Sequence, residues 1–573
     1  MHRLITLVSA LLYIYGITSG QPVDNRFISP LTIPLYLSAN FGELRPDHYH
    51  SGIDIKTDGV IGQEVVASAD GYIYLLLVSP VGFGKAVFIR HPFGYSTVYC
   101  HLDRFAPEIA EYVKAQQYQN KSFSLMAYPP ADRFPVKQGQ VIGYSGNSGS
   151  SFGPHLHFEV RKTNGEKPVN PLRFGFGIVD NLKPVIDRLA IYPGSRKTLI
   201  NGSPSKLFLR ATGGNGSYRP DTPAEIKVSG LAGFGISSRD LVNYTNNRFG
   251  IESIEVIIDS VSWYKYQVDE FSFSETKYIN AHIDYEAAAR RNFYVEKAFV
   301  LPNDKLSLYK NFMNNGFYDF SDGKRHNIRI IVSDGRNNSS ELKFTVISSP
   351  SMKQTAQIRV DSVAAVLPCG IANTFNYDGL HLQIPAESLY DTLYFNFSKT
   401  LRLPRTYSAL YSVHNRFTPL HKPATISIRP DSIPSGKASK LLLVQIDEFG
   451  RRSAEGGKFD NGVVTGEIGS FGNYCVGIDT IAPVIVSNGL INGAIITSSK
   501  ELRFRIYDDF SGIKAFSGVI DGKWALFEYD AKNQLLVYRL DETRITRASQ
   551  HKMVLTVTDN RDNVTTLSRS FTW

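Results

Sequence analysis

The sequence predicts a mostly β protein built from modules: a small antiparallel β domain followed by tandem sandwich-like modules. Three observations carry this reading. Long tracts are rich in Val, Ile, Thr, Tyr and Phe, with 31 Tyr and 35 Phe against 5 Met, a composition suited to half-buried pleated strands. The tracts are short and are broken by Gly, Asn, Asp and Pro clusters that read as turns. Finally, 573 residues exceed one core, at roughly 100–200 residues per domain.

Taken in chain order, residues 1–20 read as a secretory signal peptide. Arg3 supplies the positive start, Leu4 to Ile17 the apolar stretch, and Thr18, Ser19 and Gly20 the small residues before Gln21. No later segment is long and apolar enough to span a bilayer, so no stable membrane span is expected once the signal is cleaved. Residues 27–177 follow as a Gly-rich series of short strands, among them KAVFIR (85–90) and YSTVYCHL (95–102) around the turn HPFG. Within it, residues 105–135 form an insertion in which Ile109, Tyr112 and Val113 are spaced as on a short helix.

The rest divides near 178, 350 and 480. An internal repeat supports the division. HNIRIIVSDGRNNSSELKFTV (326–346) parallels HKMVLTVTDNRDNVTTLSRSF (551–571), and DNLKPVI (180–186) parallels DTIAPVI (479–485). Residues 178–350 and 480–573 therefore read as immunoglobulin-like sandwiches, and 351–479 as a β module without a diagnostic topology.

Charge and cysteine content narrow the function classes. The net charge of +9 is spread without a dense basic block. It permits attraction to an anionic envelope polymer and does not argue for nucleic acid. Three cysteines, Cys100, Cys369 and Cys475, make no disulfide framework and no CxxC zinc spacing; pairing of Cys369 with Cys475 is left open.

The chemistry lies in 27–177. In GPHLHFEV (153–160), strand alternation puts His155, His157, Glu159 and Arg161 on one face and Leu156, Phe158 and Val160 on the core face. Same-face neighbours are about 6.5–7 Å apart, a spacing at which one imidazole can hold a metal while the other reaches a water. In YSTVYCHL the same alternation groups Thr97, Tyr99 and His101, and turns Cys100 into the core. In HSGIDI (50–55), His50 and Asp54 share a parity. A His, an Asp and a second His suit a catalytic zinc, which takes three protein ligands and leaves one position open.

These blocks resemble the lysostaphin- and LytM-type zinc metallopeptidases that cut peptidoglycan peptides. The similarity runs through Phe41-Gly42, Arg45, HSGIDI, Ala67 to Gly71, Gly84, TVY (97–99) with His101-Leu102, GQVIG (139–143), GPHLHFE and Asn170-Pro171. It covers about 150 residues of the first domain. The resemblance implies His50, Asp54 and His157 as zinc ligands and His101 and His155 as the catalytic histidines, on a small antiparallel β fold. Tyr99 is expected to assist from the same face, and Glu159 to orient a ligand from behind. No HExxH helix supplies a glutamate base, so a histidine is expected to move the proton.

The expected activity is therefore that of an exported zinc (Zn2+) metalloendopeptidase acting on peptidoglycan stem peptides or cross-links, in the periplasm or cell envelope of a bacterium. The C-terminal β modules are expected to meet the wall or envelope proteins. Two alternatives stand beside it: a non-catalytic wall-binding or regulatory protein using the same groove, and a zinc peptidase acting on proteins. The 105–135 insertion is expected to wall or cover the groove.

Overall fold

The computed structural model describes residues 26–222, 224–355, 363–497 and 499–573; the expected signal peptide lies outside the described residues. Nearly every element is a strand, as the composition predicts.

The first domain is built on a nine-stranded antiparallel sheet. Its main strands are Leu37–Ala39 (β1), Ile53–Lys56 (β2), Gly71–Val78 (β3), Lys85–Arg90 (β4), Tyr95–Leu102 (β5), Leu125–Ala127 (β6) and His155–Lys162 (β7), in the spatial order β1-β2-β7-β5-β4-β3-β6. The His-rich strand β7 is thus central, with β2 on one side and β5 on the other. His157 pairs with Asp54 on β2 and with Cys100 on β5. A three-stranded sheet, with Val141–Tyr144 between Glu64–Val66 and Arg104–Phe105, closes the core against Ile53, Ile55, Leu156, Phe158 and Val160. Gly52 is required where the chain enters β2: a Cβ there would lie 2.2 Å from the Phe158 carbonyl oxygen.

The insertion contains the helix Pro107–Asn120 (α1). It starts on a proline, buries Ile109, Val113 and Gln117, and ends at Lys121 in the left-handed region. Its other side meets the last module: Tyr118 packs edge-on against Trp524 at 5.2 Å and under Arg544 at 3.9 Å, and Lys114 pairs with Asp541. Beyond its own domain, where Tyr112 meets Phe134 and Glu108 pairs with Arg133, α1 therefore reaches residues 524–544, whereas its sequence position suggested a wall of the histidine groove.

Beyond the first domain lie three further cores. One is enclosed by a twelve-stranded sheet between Val185 and Ser348 that includes parallel pairings. The next sits between two five-stranded sheets over 373–478, a sandwich that the sequence left without a topology. The last lies between a four- and a five-stranded sheet over 484–572. Cys100, Cys369 and Cys475 are all unpaired thiols, which settles the open question of a Cys369–Cys475 bridge. Among the described residues no helix is long and apolar enough to cross a membrane.

Candidate active site

Strand β7 and the segment leading into β2 bring His50, Asp54 and His157 to one point. His50 Nε2 lies 3.0 Å from Asp54 Oδ1 and 3.0 Å from His157 Nδ1, and His157 Nδ1 lies 2.9 Å from Asp54 Oδ1. The outer nitrogens fix the tautomers. His50 Nδ1–H donates to the Asn40 carbonyl at 2.7 Å, and His157 Nε2–H donates to Glu159 Oε1 at 2.9 Å. When both rings are neutral, two nitrogen lone pairs and a carboxylate oxygen therefore face one another. Such a triangle is repulsive unless a cation sits in it. Its edges are close to the ~3.3 Å expected for tetrahedral ligands at about 2.0–2.1 Å from zinc. The donor set thus fits zinc.

The site is buried. Burial disfavours ionised Asp54, yet His50, His155 and His157 outweigh it and hold its carboxyl well below the usual range. With a proton in place of a metal, His157 is pulled down by burial and raised more strongly by Asp54 and Glu159, to about 9. Glu159 is fully buried, and burial raises its carboxyl. Arg161 and His157 overcome this and bring it to about 2. Arg161 Nε donates to Glu159 Oε2 at 2.5 Å, and Ser51 Oγ–H to Oε1 at 2.5 Å. Phe83 stacks on the His157 ring at 5.7 Å.

Two more imidazoles face the group. The His101 and His155 ring centroids are 4.9 Å apart, and His101 is 5.9 Å from His157. His155 Nε2 is 3.5 Å from Asp54 Oδ1. Both are tied by Nδ1: His101 donates to the Ser148 carbonyl, and His155 to the Gly153 carbonyl, each at 2.9 Å, with Ser151 Oγ 3.2 Å from His155 Nδ1. Each ring, when neutral, therefore keeps its Nε2 lone pair free. Burial and the neighbouring His157 and His155 drive His101 down to about 3, so it is neutral at physiological pH.

The structure thus brings together His50, Asp54, His101, His155, His157 and Glu159. It separates Tyr99 from them, correcting the alternation reading of β5. Tyr99 is fully buried in the core beside Phe158, its hydroxyl donating to no groove atom but bonded to Thr97 Oγ1 and Ser68 N. The cause is an irregularity. The β4–β5 register slips between Lys85↔Leu102 and Val87↔Tyr99, and His101 has φ 60°. Parity inverts there, so Tyr99 and Leu102 both reach the core, while Cys100 lies on the His157 side in a small cluster with Ala86, Phe88 and Val98. Cys100 is still no nucleophile: it is fully buried, and burial pushes its thiol well up. The loop 147–153, whose carbonyls orient both free imidazoles, carried no signal beyond its Gly and Ser content.

Fold and site together define a β-sheet domain with a His-Asp-His group that could hold a metal ion. The model of peptidase family M23 matches residues 48–121 and 132–171. A Zu5-like domain model matches 364–479. Over 123 residues the chain is 39% identical to the DD-carboxypeptidase/endopeptidase Mpg of Neisseria meningitidis serogroup B, which is 22% of either protein. Over 131 residues it is 37% identical to an uncharacterized metalloprotease of Haemophilus influenzae, 23% of this chain and 21% of that one. Over 125 residues it is 33% identical to the murein hydrolase activator NlpD of Escherichia coli, 22% of this chain and 26% of that one. Each match therefore spans about a quarter or less of the curated relative. Among solved structures, the catalytic domain of the prophage-encoded M23 protein EnpA of Enterococcus faecalis aligns at 27% identity, over 26% of this chain and 98% of that one, with a TM-score of 0.20.

Proposed function

We propose that the protein is an exported zinc metalloendopeptidase that hydrolyses peptide bonds in peptidoglycan stem peptides or cross-links. One observation carries this reading: all four histidines have their outer nitrogen bonded to an acceptor, so two lone pairs and the Asp54 carboxylate converge on one point, with the His101 and His155 rings beside it. His50, Asp54 and His157 would hold the zinc. The ion would supply Lewis-acid polarisation of a scissile carbonyl and a water acidic near neutral pH.

The chain supplies the rest. His101 and His155 start as proton acceptors at Nε2, because each Nδ1–H is committed to a backbone carbonyl. A proton taken from the attacking water makes that ring a donor, able to stabilise the developing oxyanion or protonate the leaving amine. Glu159 holds the His157 tautomer from behind. The relatives support a wall substrate by their names, one an endopeptidase and one a murein hydrolase activator.

The test incubates the signal-free protein with purified peptidoglycan, and separately with an unfolded protein, with and without chelator, beside His157→Ala. New amines and released muropeptides are expected only from the metal-loaded parent. Peptidoglycan left intact by the metal-loaded parent would overturn the reading in favour of a regulatory protein. Cleavage of the protein substrate alone would replace the wall by a protein target.

A further inference from the structure

The internal repeat gathers acidic side chains far from the histidines. Asp180 opens the module that follows the peptidase domain, Asp240 follows its long strand Ile226–Arg239, and Asp334 lies in the turn between Arg325–Ser333 and Ser339–Ser348. One carboxylate oxygen from each lies within 4.8 Å of the others. Among the described residues, no lysine or arginine forms an ion pair with any of the three.

Each of these carboxylates has a backbone donor. Asp334 Oδ1 accepts the amides of Arg336 and Asn338 at 2.8 and 2.9 Å, and Asp180 Oδ1 that of Leu182 at 3.2 Å. Asp240 is 2% exposed, and although the Leu241 amide reaches its carboxyl, Oδ1 is buried with no hydrogen-bond partner. An unpaired buried carboxylate is among the costliest groups a fold can carry. Burial and the like charges push Asp240 up to about 8 and Asp180 up to about 6, with Arg336 offsetting Asp180 only in part. Asn338 Nδ2–H donates to Asp334 Oδ2 at 2.6 Å, and the cluster is otherwise made of carboxylate oxygens and is short of positive charge.

We propose that Asp180, Asp240 and Asp334 hold a calcium ion at the seam between the peptidase domain and the module behind it. Oxygen-only donors select a hard cation. Three carboxylates supplied by the protein itself suit calcium, which takes about six to eight oxygen ligands in flexible geometry, whereas magnesium is usually held through one or two carboxylates and keeps several waters. Half-buried Asp180 forms the open side, which leaves room for water ligands. The position gives the ion a task. The segment after Asp240 lies against the peptidase domain: Val242 and Phe249 enter its core, Asn247 Nδ2–H donates to the Ser38 carbonyl, and Asn40 exchanges two hydrogen bonds with Gly250. Asn40 is also the residue whose carbonyl orients His50. The corresponding trio in the last module, Asp479, Asp508 and Asp559, has no orphan. Both Asp479 oxygens and Asp508 Oδ2 accept backbone amides, and the proposal does not extend to it.

The test strips the full-length protein with chelator and titrates it with calcium and, in parallel, magnesium, by calorimetry and thermal unfolding. Calcium is expected to bind and to raise the Tm. Asp240→Asn should weaken calcium binding at least about tenfold, yet melt no lower than the parent in chelator, because it removes a repelling charge. Asp180→Asn, on the open rim, should weaken it as well. Asp508→Asn and His157→Ala should keep the response, separating this site from the repeat and from the zinc group. A parent without a calcium-dependent heat and Tm shift overturns the proposal, as does an Asp240→Asn variant that retains them. Magnesium binding as tight as calcium overturns the choice of ion.

Discussion

Glu159 is the residue on which the His157 tautomer depends. It accepts from His157, Ser51 and Arg161 while fully buried. Glu159→Gln is expected to keep the hydrogen-bonded shape but lose the charge that makes His157 a strong ligand. Zinc affinity should fall about 10–100-fold, read by chelator competition. Glu159→Ala should do more, because it strands the buried Arg161 guanidinium. A loss of about 3–5 kcal/mol in chemical unfolding follows from breaking such a pair. Gly52 is the other single-residue constraint. Gly52→Ala must push β2 away from β7, since the clash is with a backbone carbonyl that no rotamer change relieves. Its Tm should fall, with zinc binding lost in the part that remains folded.

At the scale of elements, the loop 147–153 is the part that aims the two free imidazoles. It is held from outside the domain: Lys532 Nζ donates to the Ser151 carbonyl at 2.9 Å and to the Asn147 carbonyl. Lys532→Ala should leave zinc affinity unchanged and lower kcat several-fold, since misplacement by about 1 Å costs up to 10²-fold. Steady-state kinetics on a peptidoglycan fragment, beside zinc titration, separates the two effects. Unchanged kcat would mean that the loop is ordered by its own domain. Helix α1 makes the matching contact from the other side, through Lys114 and Tyr118. Its helical period was legible in Ile109, Tyr112 and Val113, though not its extent to Asn120. Its destination was not, because the residues it meets lie some 400 positions away and share no pattern with it.

Over the whole molecule, the main cores are joined by apolar side chains that cross between them: Phe41, Tyr49 and Tyr390 enter the second core, and Val242 and Phe249 the first. Lys297, between the second and third cores, is 8% exposed and packs against Phe299. Burial pulls its ammonium down to about 8 despite Asp284 and Asp304. The folded pKa lies below the free value of 10.5, so the charged lysine destabilises the fold. The penalty is complete below pH 8 and fades as pH rises to 10.5. Lys297→Met is therefore expected to stabilise the protein at pH 7, by on the order of 2–3 kcal/mol, with the gain shrinking between pH 8 and 10.5. Denaturant melts across that range provide the check.

The sequence by itself determined the β class and the faces of β7 and β2, while the meeting of His157 with Asp54 was implied by the family resemblance and is made by the pairing of the two strands. Alternation is enforced by backbone geometry and needs no distant information. It also exposed the repeat that places Asp180 and Asp334 at equivalent points of a module. Only the tertiary structure decided where alternation stops. The slip at His101 turns Tyr99 into the core and brings Cys100 under the site, because a bulge is set by how two strands pair rather than by either strand alone. The same holds for the carbonyls of Asn40, Ser148 and Gly153 that fix the imidazole tautomers. They are backbone atoms, indifferent to residue type, and folding alone puts them within hydrogen-bond reach.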